Sequence, residues 1–251
     1  MPKPVRFGLD LGSSYVKVVA GAAPGKIRFR RAVPTSLDYV HAVARALRRE
    51  GALPLRGAVS TGYGKHGLDG PTRRNEVSCL ARAFLDEGHL EGTLVDIGGQ
   101  DTKVLRFEDG RLKDFHLNRR CAAGTGSFAE FLMHRMRLSP LRLNALARET
   151  AESHRLNHFC TVFAATEIID LVQKGTPLAA VARSVYVSVA LRAREIAPLV
   201  SPLYLCGGFV AHHPIFPEIF KEVHGADAEV VAHPKFYSAF GAFLTAWDDP
   251  S

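Results

Sequence analysis

Two stretches of the chain match each other, Gly8-Leu-Asp10-Leu-Gly12-Ser13-Ser14-Tyr-Val-Lys17-Val-Val19 and Val95-Asp96-Ile-Gly98-Gly99-Gln100-Asp101-Thr102-Lys103-Val-Leu105. Asp10 aligns with Asp96 and Lys17 with Lys103, both at an offset of 96 − 10 = 86 residues. Each copy continues through a second turn into another strand-like run, which spans residues 27–33 or 112–117. The pattern predicts three strands joined by tight turns in each copy. Because there are only two copies, we expect two similar lobes and not a repeat array.

The two glycine turns carry residue types that suit phosphate binding. Glycine lacks a Cβ, so the backbone N–H groups of such a turn can come close to an anion. The aspartates are acceptors only and can hold Mg²⁺ through water, whereas Lys17 supplies positive charge. Two ordinary hairpins with turn-forming aspartates are the alternative, but the matched copies favour a phosphate clamp. The candidate residues in these turns are Asp10, Gly12, Ser13, Ser14, Lys17, Asp96, Gly98, Gly99 and Thr102.

A third glycine turn, Gly207-Gly208-Phe209, follows the apolar run 203–206 and precedes a helix-like segment at 216–223. Such a turn can approach an adenosine or a phosphate, although two glycines after a strand are also common in an ordinary turn. None of the three turns has the Walker A or GxGxxG spacing, so P-loop and dinucleotide-binding folds are not favoured.

Two of the four cysteines stand just before predicted helices. Cys121 precedes the helix at 128–137, and Cys160 precedes the helix at 162–174. The positive end of a helix stabilises a thiolate. One chain supplies only two such thiolates, so either a two-fold partner completes a metal site or both are buried structural cysteines. Cys79 and Cys206 lie in apolar surroundings and are expected to be packing residues.

The composition excludes several classes of protein. Of 251 residues, 47% are hydrophobic and 23% charged, as in ordinary globular chains. The net charge of +7 is scattered, without a basic block or interleaved aromatics, which argues against nucleic-acid binding. No apolar run is long enough to cross a membrane, and the first residues leave no room for a signal peptide. We therefore expect a cytoplasmic protein with reduced cysteines.

Eight motifs along the chain together resemble one family. They are GLDLGSSYVKVV (8–19), STGYGKHG (60–67), NEVSCLARA (75–83), LVDIGGQDTKV (94–104), NRRCAAGTGSFAEF (118–131), CTVFAATEIIDLVQKG (160–175), LCGGFVAHH (205–213) and HPKFYSAFGAFL (233–244). This order is similar to that of the activators of 2-hydroxyacyl-CoA dehydratases, or archerases, of the BadF/BadG/BcrA/BcrD ATPase family. The short glycine motifs alone would indicate only the wider acetate-kinase/actin/sugar-kinase superfamily.

The resemblance implies an α/β fold of two ribonuclease-H-like lobes, as in actin-like ATPases, with ATP in the cleft between them. The lobes would be residues 1–90 and 91–251, and the C-terminal helix could pack back on the first lobe. It implies Mg²⁺ as cofactor, with Asp10 and either Gln100 or Asp101 as catalytic residues, the last two orienting the attacking water. The helix entry and the third turn join the nucleotide site, through Gly124, Thr125, Gly126, Gly207, Gly208 and Phe209.

The resemblance also implies a homodimer that shares one 4Fe-4S cluster, held by Cys121 and Cys160 of each chain. A ferredoxin or flavodoxin would reduce this cluster. ATP binding and hydrolysis would then drive one electron to an iron–sulfur enzyme, either a 2-hydroxyacyl-CoA dehydratase, a benzoyl-CoA-reductase-like enzyme or a double-cubane-cluster protein. A sugar-type kinase of the same fold and a nucleotide-sensing scaffold are the alternatives, and neither needs iron.

Overall fold

The computed structural model describes residues 5–35, 38–47, 55, 57–118, 125–156 and 160–248. The chain forms two compact units, one of Met1–Leu90 with Phe236–Ser251 and one of Glu91–Lys235. The expected second lobe, residues 91–251, differs from the second unit by the C-terminal segment, which contacts the first strand of the first unit.

Ten strands in the described ranges form two five-stranded sheets. They are β1 (Arg6–Leu11), β2 (Tyr15–Gly21), β3 (Ile27–Pro34), β4 (Ala58–Thr61), β5 (Thr72–Arg73), β6 (Gly92–Ile97), β7 (Thr102–Glu108), β8 (Arg111–Asn118), β9 (Leu203–Cys206) and β10 (Ala228–Val230).

The helices of the described ranges are α1 (Tyr39–Leu47), α2 (Glu76–Asp86), α3 (Gly126–Met136), α4 (Pro140–Arg148), α5 (Thr161–Gln173), α6 (Leu178–Ile196), α7 (Gly208–His212), α8 (Phe216–His224) and α9 (Tyr237–Asp248). Local sequence explains several of their ends. The Asn75 and Ser139 side chains accept hydrogen bonds from the first turns of α2 and α4, and Gly225 ends α8 in the left-handed region. Across the described residues, no helix combines the length and apolar character that crossing a bilayer requires.

The two sheets have the same topology. Their strand orders are β3-β2-β1-β4-β5 and β8-β7-β6-β9-β10. In each sheet the first three strands of the sequence are antiparallel neighbours, and a later strand returns parallel to the first. The register pairs Asp10 with Lys17 and Asp96 with Lys103, so the aligned residues of the two copies occupy equivalent places.

Each face of the first sheet is covered by a helix. On one side Leu9 and Val18 pack with the α1 residues Ala42 and Val43. On the other side Val19 packs with Phe243 and other residues of α9. Because β1 and β2 are covered on both faces, most of their residues are buried, including the charged Asp10.

The second unit has the larger core, which is built around the long helix α6. Val185 and Val189 of α6 share a cluster with Val95 of β6, Phe128 of α3 and Phe216 of α8. Strand β8 lies at the edge of its sheet and is mostly exposed, with side-chain contacts such as that of His116 with Asp114 on its surface. Because Val95 and Ile97 of β6 belong to the same cluster, the end of β6 packs against these helices.

Glycine permits the close packing of α9, which gives a stability prediction. A Cβ on Gly241 would overlap the carbonyl oxygen of Cys79 in α2. We expect Gly241→Ala to lower the free energy of unfolding by about 3 kcal/mol, because the two helices must separate. Gly25→Ala is the control, since a Cβ there meets nothing within 4 Å. Urea denaturation measures both changes, and equal stabilities of the two variants would contradict the packing.

Candidate functional site

The turn between β1 and β2 contains a buried ion pair. Asp10, only 2% exposed, is the penultimate residue of β1, and its Oδ2 accepts a hydrogen bond from Lys17 Nζ at 2.7 Å. Its Oδ1 is buried and has no hydrogen-bond partner. Gly12 closes the turn by donating its N–H to the Tyr15 carbonyl at 3.1 Å. The predicted Ser13 and Ser14 lie half-buried in the same turn, so the candidate residues of the first copy are together.

The turn between β6 and β7 contains the equivalent pair, with one more carboxylate. Lys103 Nζ lies 3.0 Å from Asp96 Oδ2 and 2.8 Å from Asp101 Oδ1. The Lys103 side chain is 1% exposed, so its charge is shielded from water and both carboxylates lie within ion-pair distance of it. Gly98 closes the turn by donating its N–H to the Asp101 carbonyl at 2.9 Å.

The remaining residues of the second turn differ in exposure. Gln100 is exposed, Gly99 and Asp101 are half-buried, and Thr102 is buried at the start of β7. Asp101 is held in place by Lys103, whereas the Gln100 side chain projects from the turn. Lys103 was not among the residues selected from the sequence, although its alignment with Lys17 was visible there.

A glycine follows the parallel strand beside each buried aspartate. Thr61 ends β4 opposite Asp10, and Cys206 ends β9 opposite Asp96. The next residues, Gly62 and Gly207, have φ of +87° and +102°.

These glycines leave room for the carboxylates. A Cβ at residue 62 would lie 2.5 Å from Asp10 Oδ1, and one at residue 207 would lie 2.6 Å from Asp96 Oδ1. Both the positive φ and the close approach therefore require glycine. Sequence reasoning selected Gly207 but did not select Gly62, although Gly62 lies in the quoted motif STGYGKHG (60–67).

The Gly98-Gly99 turn is hydrogen-bonded to the start of α3. The Gly98 carbonyl accepts from Gly126 N at 2.9 Å, and the Gly99 carbonyl accepts from Ser127 N at 2.7 Å. A Cβ on Gly126 would lie 3.0 Å from the Gly98 oxygen, so helix and turn are in close contact. Thr125, the N-cap of α3, is fully buried. The predicted Gly124 lies outside the described residues.

The third glycine turn approaches Asp96 through its backbone. Gly207 donates its N–H to the Pro234 carbonyl at 3.0 Å, and a Cβ on Gly208 would meet nothing within 4 Å. Phe209, selected as a nucleotide contact, is only 3% exposed, and its ring packs against His213 and Phe216. The Phe209 side chain therefore supports the turn from within the core.

The cysteines have different environments. Cys160 is the half-buried N-cap of α5, and its side chain makes no capping hydrogen bond. Cys121 lies outside the described residues. Cys79 and Cys206 are buried, and burial raises the pKa of the Cys79 thiol to about 12. The Cys206 thiol donates to Asp96 Oδ1 at 3.6 Å. Among the described residues, no three His, Cys, Asp or Glu side chains converge as metal ligands.

The two lysine pairs differ in burial, which gives a second prediction. We expect Lys103→Met to lower the free energy of unfolding by about 3 kcal/mol, because two carboxylates lose their buried counter-ion. Lys17→Met serves as the comparison, since the Lys17 side chain is 16% exposed and its charge is therefore partly solvated, with an expected loss of about 1 kcal/mol. Urea denaturation tests both, and equal losses would contradict the assigned difference.

Comparison with known proteins identifies relatives of the whole chain. Residues 7–246 match the model of the BadF/BadG/BcrA/BcrD ATPase family. The activator of lactoyl-CoA dehydratase from Anaerotignum propionicum is 32% identical over 195 residues, which are 76% of this chain and 75% of that protein.

Two solved structures are similar along nearly their full length. Component A of (R)-2-hydroxyglutaryl-CoA dehydratase from Acidaminococcus fermentans has a TM-score of 0.88 at 26% identity, covering 97% of this chain and 98% of that one. The activator of the 2-hydroxyisocaproyl-CoA dehydratase from Clostridium difficile, with bound ADPNP, has a TM-score of 0.86 at 26% identity, covering 98% and 95%. The predicted α/β, actin-like ATPase fold is confirmed, and the chain belongs to the BadF/BadG/BcrA/BcrD ATPase family.

Proposed function

We propose that this chain uses ATP hydrolysis to pass one electron to an iron–sulfur acyl-CoA dehydratase or reductase. The observation that carries the proposal is the pair of hydrogen bonds from α3 to the Gly98-Gly99 turn. They connect a phosphate-type turn to the helix that begins five residues after Cys121. The named relatives and the ADPNP-bound neighbour support the ATP-dependent activation of a dehydratase.

The residues of the two turns fit a nucleotide with Mg²⁺. The buried Asp10 Oδ1 has no hydrogen-bond partner, which costs free energy unless a cation or a bound water satisfies it. Carboxylate oxygens are preferred Mg²⁺ ligands, directly or through water. We propose that Asp10 and Asp96 hold Mg²⁺ in this way, while the N–H and hydroxyl groups of both turns and Lys17 bind the phosphates. The groups that bind phosphate are those of Gly12, Ser13, Ser14, Gly98, Gly99 and Thr102.

The attacking water needs an acceptor that is close to the phosphates. Gln100 and Asp101 stand in the second turn, and either is proposed to orient this water. Asp101 is pre-positioned by its 2.8 Å contact with Lys103, whereas Gln100 is exposed and accessible to a ligand. Rearrangement of the turn on hydrolysis would move the carbonyls that bond to Gly126 and Ser127, and α3 would follow.

The proposed iron–sulfur site uses Cys121 and Cys160. Cys160 fits a cluster ligand because its half-buried thiol lies at the positive end of α5, where a thiolate is stabilised. Two copies of the chain would supply the four thiolates that a 4Fe-4S cluster takes, and such a cluster, once reduced by a ferredoxin or flavodoxin, supplies the transferred electron.

The surface that follows Cys160 suits a homodimer. Val162 and Phe163, in the first turn of α5, are 67% and 62% exposed, and Ile169 and Val172 are exposed further along the same helix. Val162, Phe163 and Ile169 lie toward one side of the helix, and exposed apolar residues grouped in this way usually mark a contact surface. We propose that α5 of one copy packs near α5 of the other, bringing the paired cysteines together.

Iron content tests the proposed function directly. Oxygen-free preparation of the chain is expected to give a brown protein with about four iron atoms per dimer. Cys160→Ala should lose most of this iron and keep ADP binding, because the phosphate turns are unchanged. Cys79→Ala is the control and should retain the iron. A colourless wild-type protein that still phosphorylates a small molecule would replace this proposal with the kinase alternative.

The proposed dimer has its own test. Phe163→Glu places a charge on the exposed face of α5, and we expect a monomer in light scattering, since burying an unpaired carboxylate is costly. Leu141→Glu makes the same change at another exposed apolar residue, on α4, and should leave the dimer intact. A dimeric Phe163→Glu protein would exclude this face as the interface.

A further inference from the structure

A buried polar cluster lies behind the third glycine turn. We call Asn144 of α4, Tyr186 of α6, and Phe209 and His213 at the two ends of α7 the His213 cluster. These side chains are at most 6% exposed. His213 Nδ1 lies 2.8 Å from the Tyr186 hydroxyl and 3.1 Å from Asn144 Nδ2. The cluster therefore connects three helices through one imidazole nitrogen.

The hydrogen-bond donors around His213 define its protonation state. Asn144 is oriented by two backbone groups, because its Nδ2 donates to the Pro140 carbonyl at 2.8 Å and its Oδ1 accepts from Ile215 N at 3.2 Å. The nitrogen it presents to His213 can only donate, so His213 Nδ1 accepts and the proton is on Nε2. Burial lowers the pKa of His213 to about 4, which keeps the ring neutral near pH 7.

The same histidine holds the end of the glycine turn. Its backbone N–H donates to the Phe209 carbonyl at 3.0 Å, and the two rings pack with centroids 4.5 Å apart. At the other end, Gly207 is tied to Pro234 and stands against Asp96. The backbone of Gly207 and Gly208 is thus held on one side by the bond to Pro234 and on the other by the contact between Phe209 and His213.

We propose that the His213 cluster is a positioning device that sets the affinity of the Gly207-Gly208 backbone for nucleotide. An apolar core would pack Phe209 as well, but it would not select one orientation of the turn. Directional bonds from α4 and α6 do select one, because a shifted turn leaves Asn144 and Tyr186 with unsatisfied buried groups. The proposal rests on the proposed function and on the contact of Gly207 and Gly208 with the nucleotide that the family resemblance implies, and it adds residues that do not touch the ligand.

The device predicts an effect on binding without an effect on chemistry. Tyr186→Phe removes one donor and keeps the ring, and we expect the Kd for ADP to rise about fivefold, equivalent to ~1 kcal/mol. The kcat for ATP hydrolysis at saturating ATP should stay within about twofold, since the loss is shared by ground and transition states. Calorimetric titration with ADP and a steady-state ATPase assay measure the two quantities.

Tyr237→Phe is the matched control. Tyr237 is also buried, and its hydroxyl also makes a 2.8 Å hydrogen bond, to Glu87 in the first unit. The Tyr237→Phe variant should lose about as much thermal stability as Tyr186→Phe and keep the wild-type Kd for ADP. Should Tyr186→Phe not fold, His213→Gln keeps an acceptor for Tyr186 but removes the ring that packs on Phe209, and the same loss of ADP affinity is expected.

The outcomes separate this inference from the proposed function. If the wild-type chain binds ADP and Tyr186→Phe or His213→Gln binds it equally well, the positioning role is wrong and the nucleotide site stands. An equal loss in Tyr237→Phe would also overturn the role, since the effect would then be general destabilisation. If the wild-type chain does not bind ADP, the proposed function itself fails.

Discussion

Each unit contains a buried carboxylate that is the penultimate residue of its first strand and is paired with a lysine from the neighbouring strand. Burying two charges is costly, so the pair persists only where the backbone fixes its geometry. The antiparallel register supplies the lysine, and a glycine must follow the parallel strand on the other side to leave room for the carboxylate. The positions of Gly62 and Gly207 are therefore consequences of the aspartates they face. The buried carboxylate thus explains why a glycine follows the returning strand in each unit.

The two copies are not electrostatically equal. In the first turn Lys17 balances Asp10 and remains partly exposed, whereas in the second turn one buried lysine is shared by two carboxylates. The first turn can therefore direct positive charge toward an anion. The second carries a formal excess of one negative charge, which suits a metal ion or the activation of a water. Duplication of one hairpin has produced two turns that differ in charge, and the difference comes from Asp101 alone.

Much of this arrangement could be predicted from the sequence because its signals are local. The alignment of Asp10 with Asp96 and of Lys17 with Lys103 follows from a repeat visible along the chain, and the structure pairs the same residues across each hairpin. Gly62 was not selected because a long connection separates β4 from β1 in the sequence. No local pattern predicts that β4 pairs with β1. Phe209 was selected for its position after two glycines, and its ring lies in the core against His213 and Phe216, which no local pattern indicates. Contacts between distant segments decide such cases.

The connection between the second turn and α3 is short enough to carry a conformational signal. Two helical N–H groups donate to the carbonyls of adjacent glycines. Because Gly126 has no side chain, the helix can approach the turn closely enough to form these bonds. Adjacent glycines can change dihedral angles at little steric cost, so the turn is free to respond to a phosphate. The helix is not equally free, since slippage would leave both of its N–H groups without acceptors near a buried Thr125. When the turn changes conformation, α3 is therefore expected to move with it. Such a movement would couple the nucleotide to the segment that precedes α3.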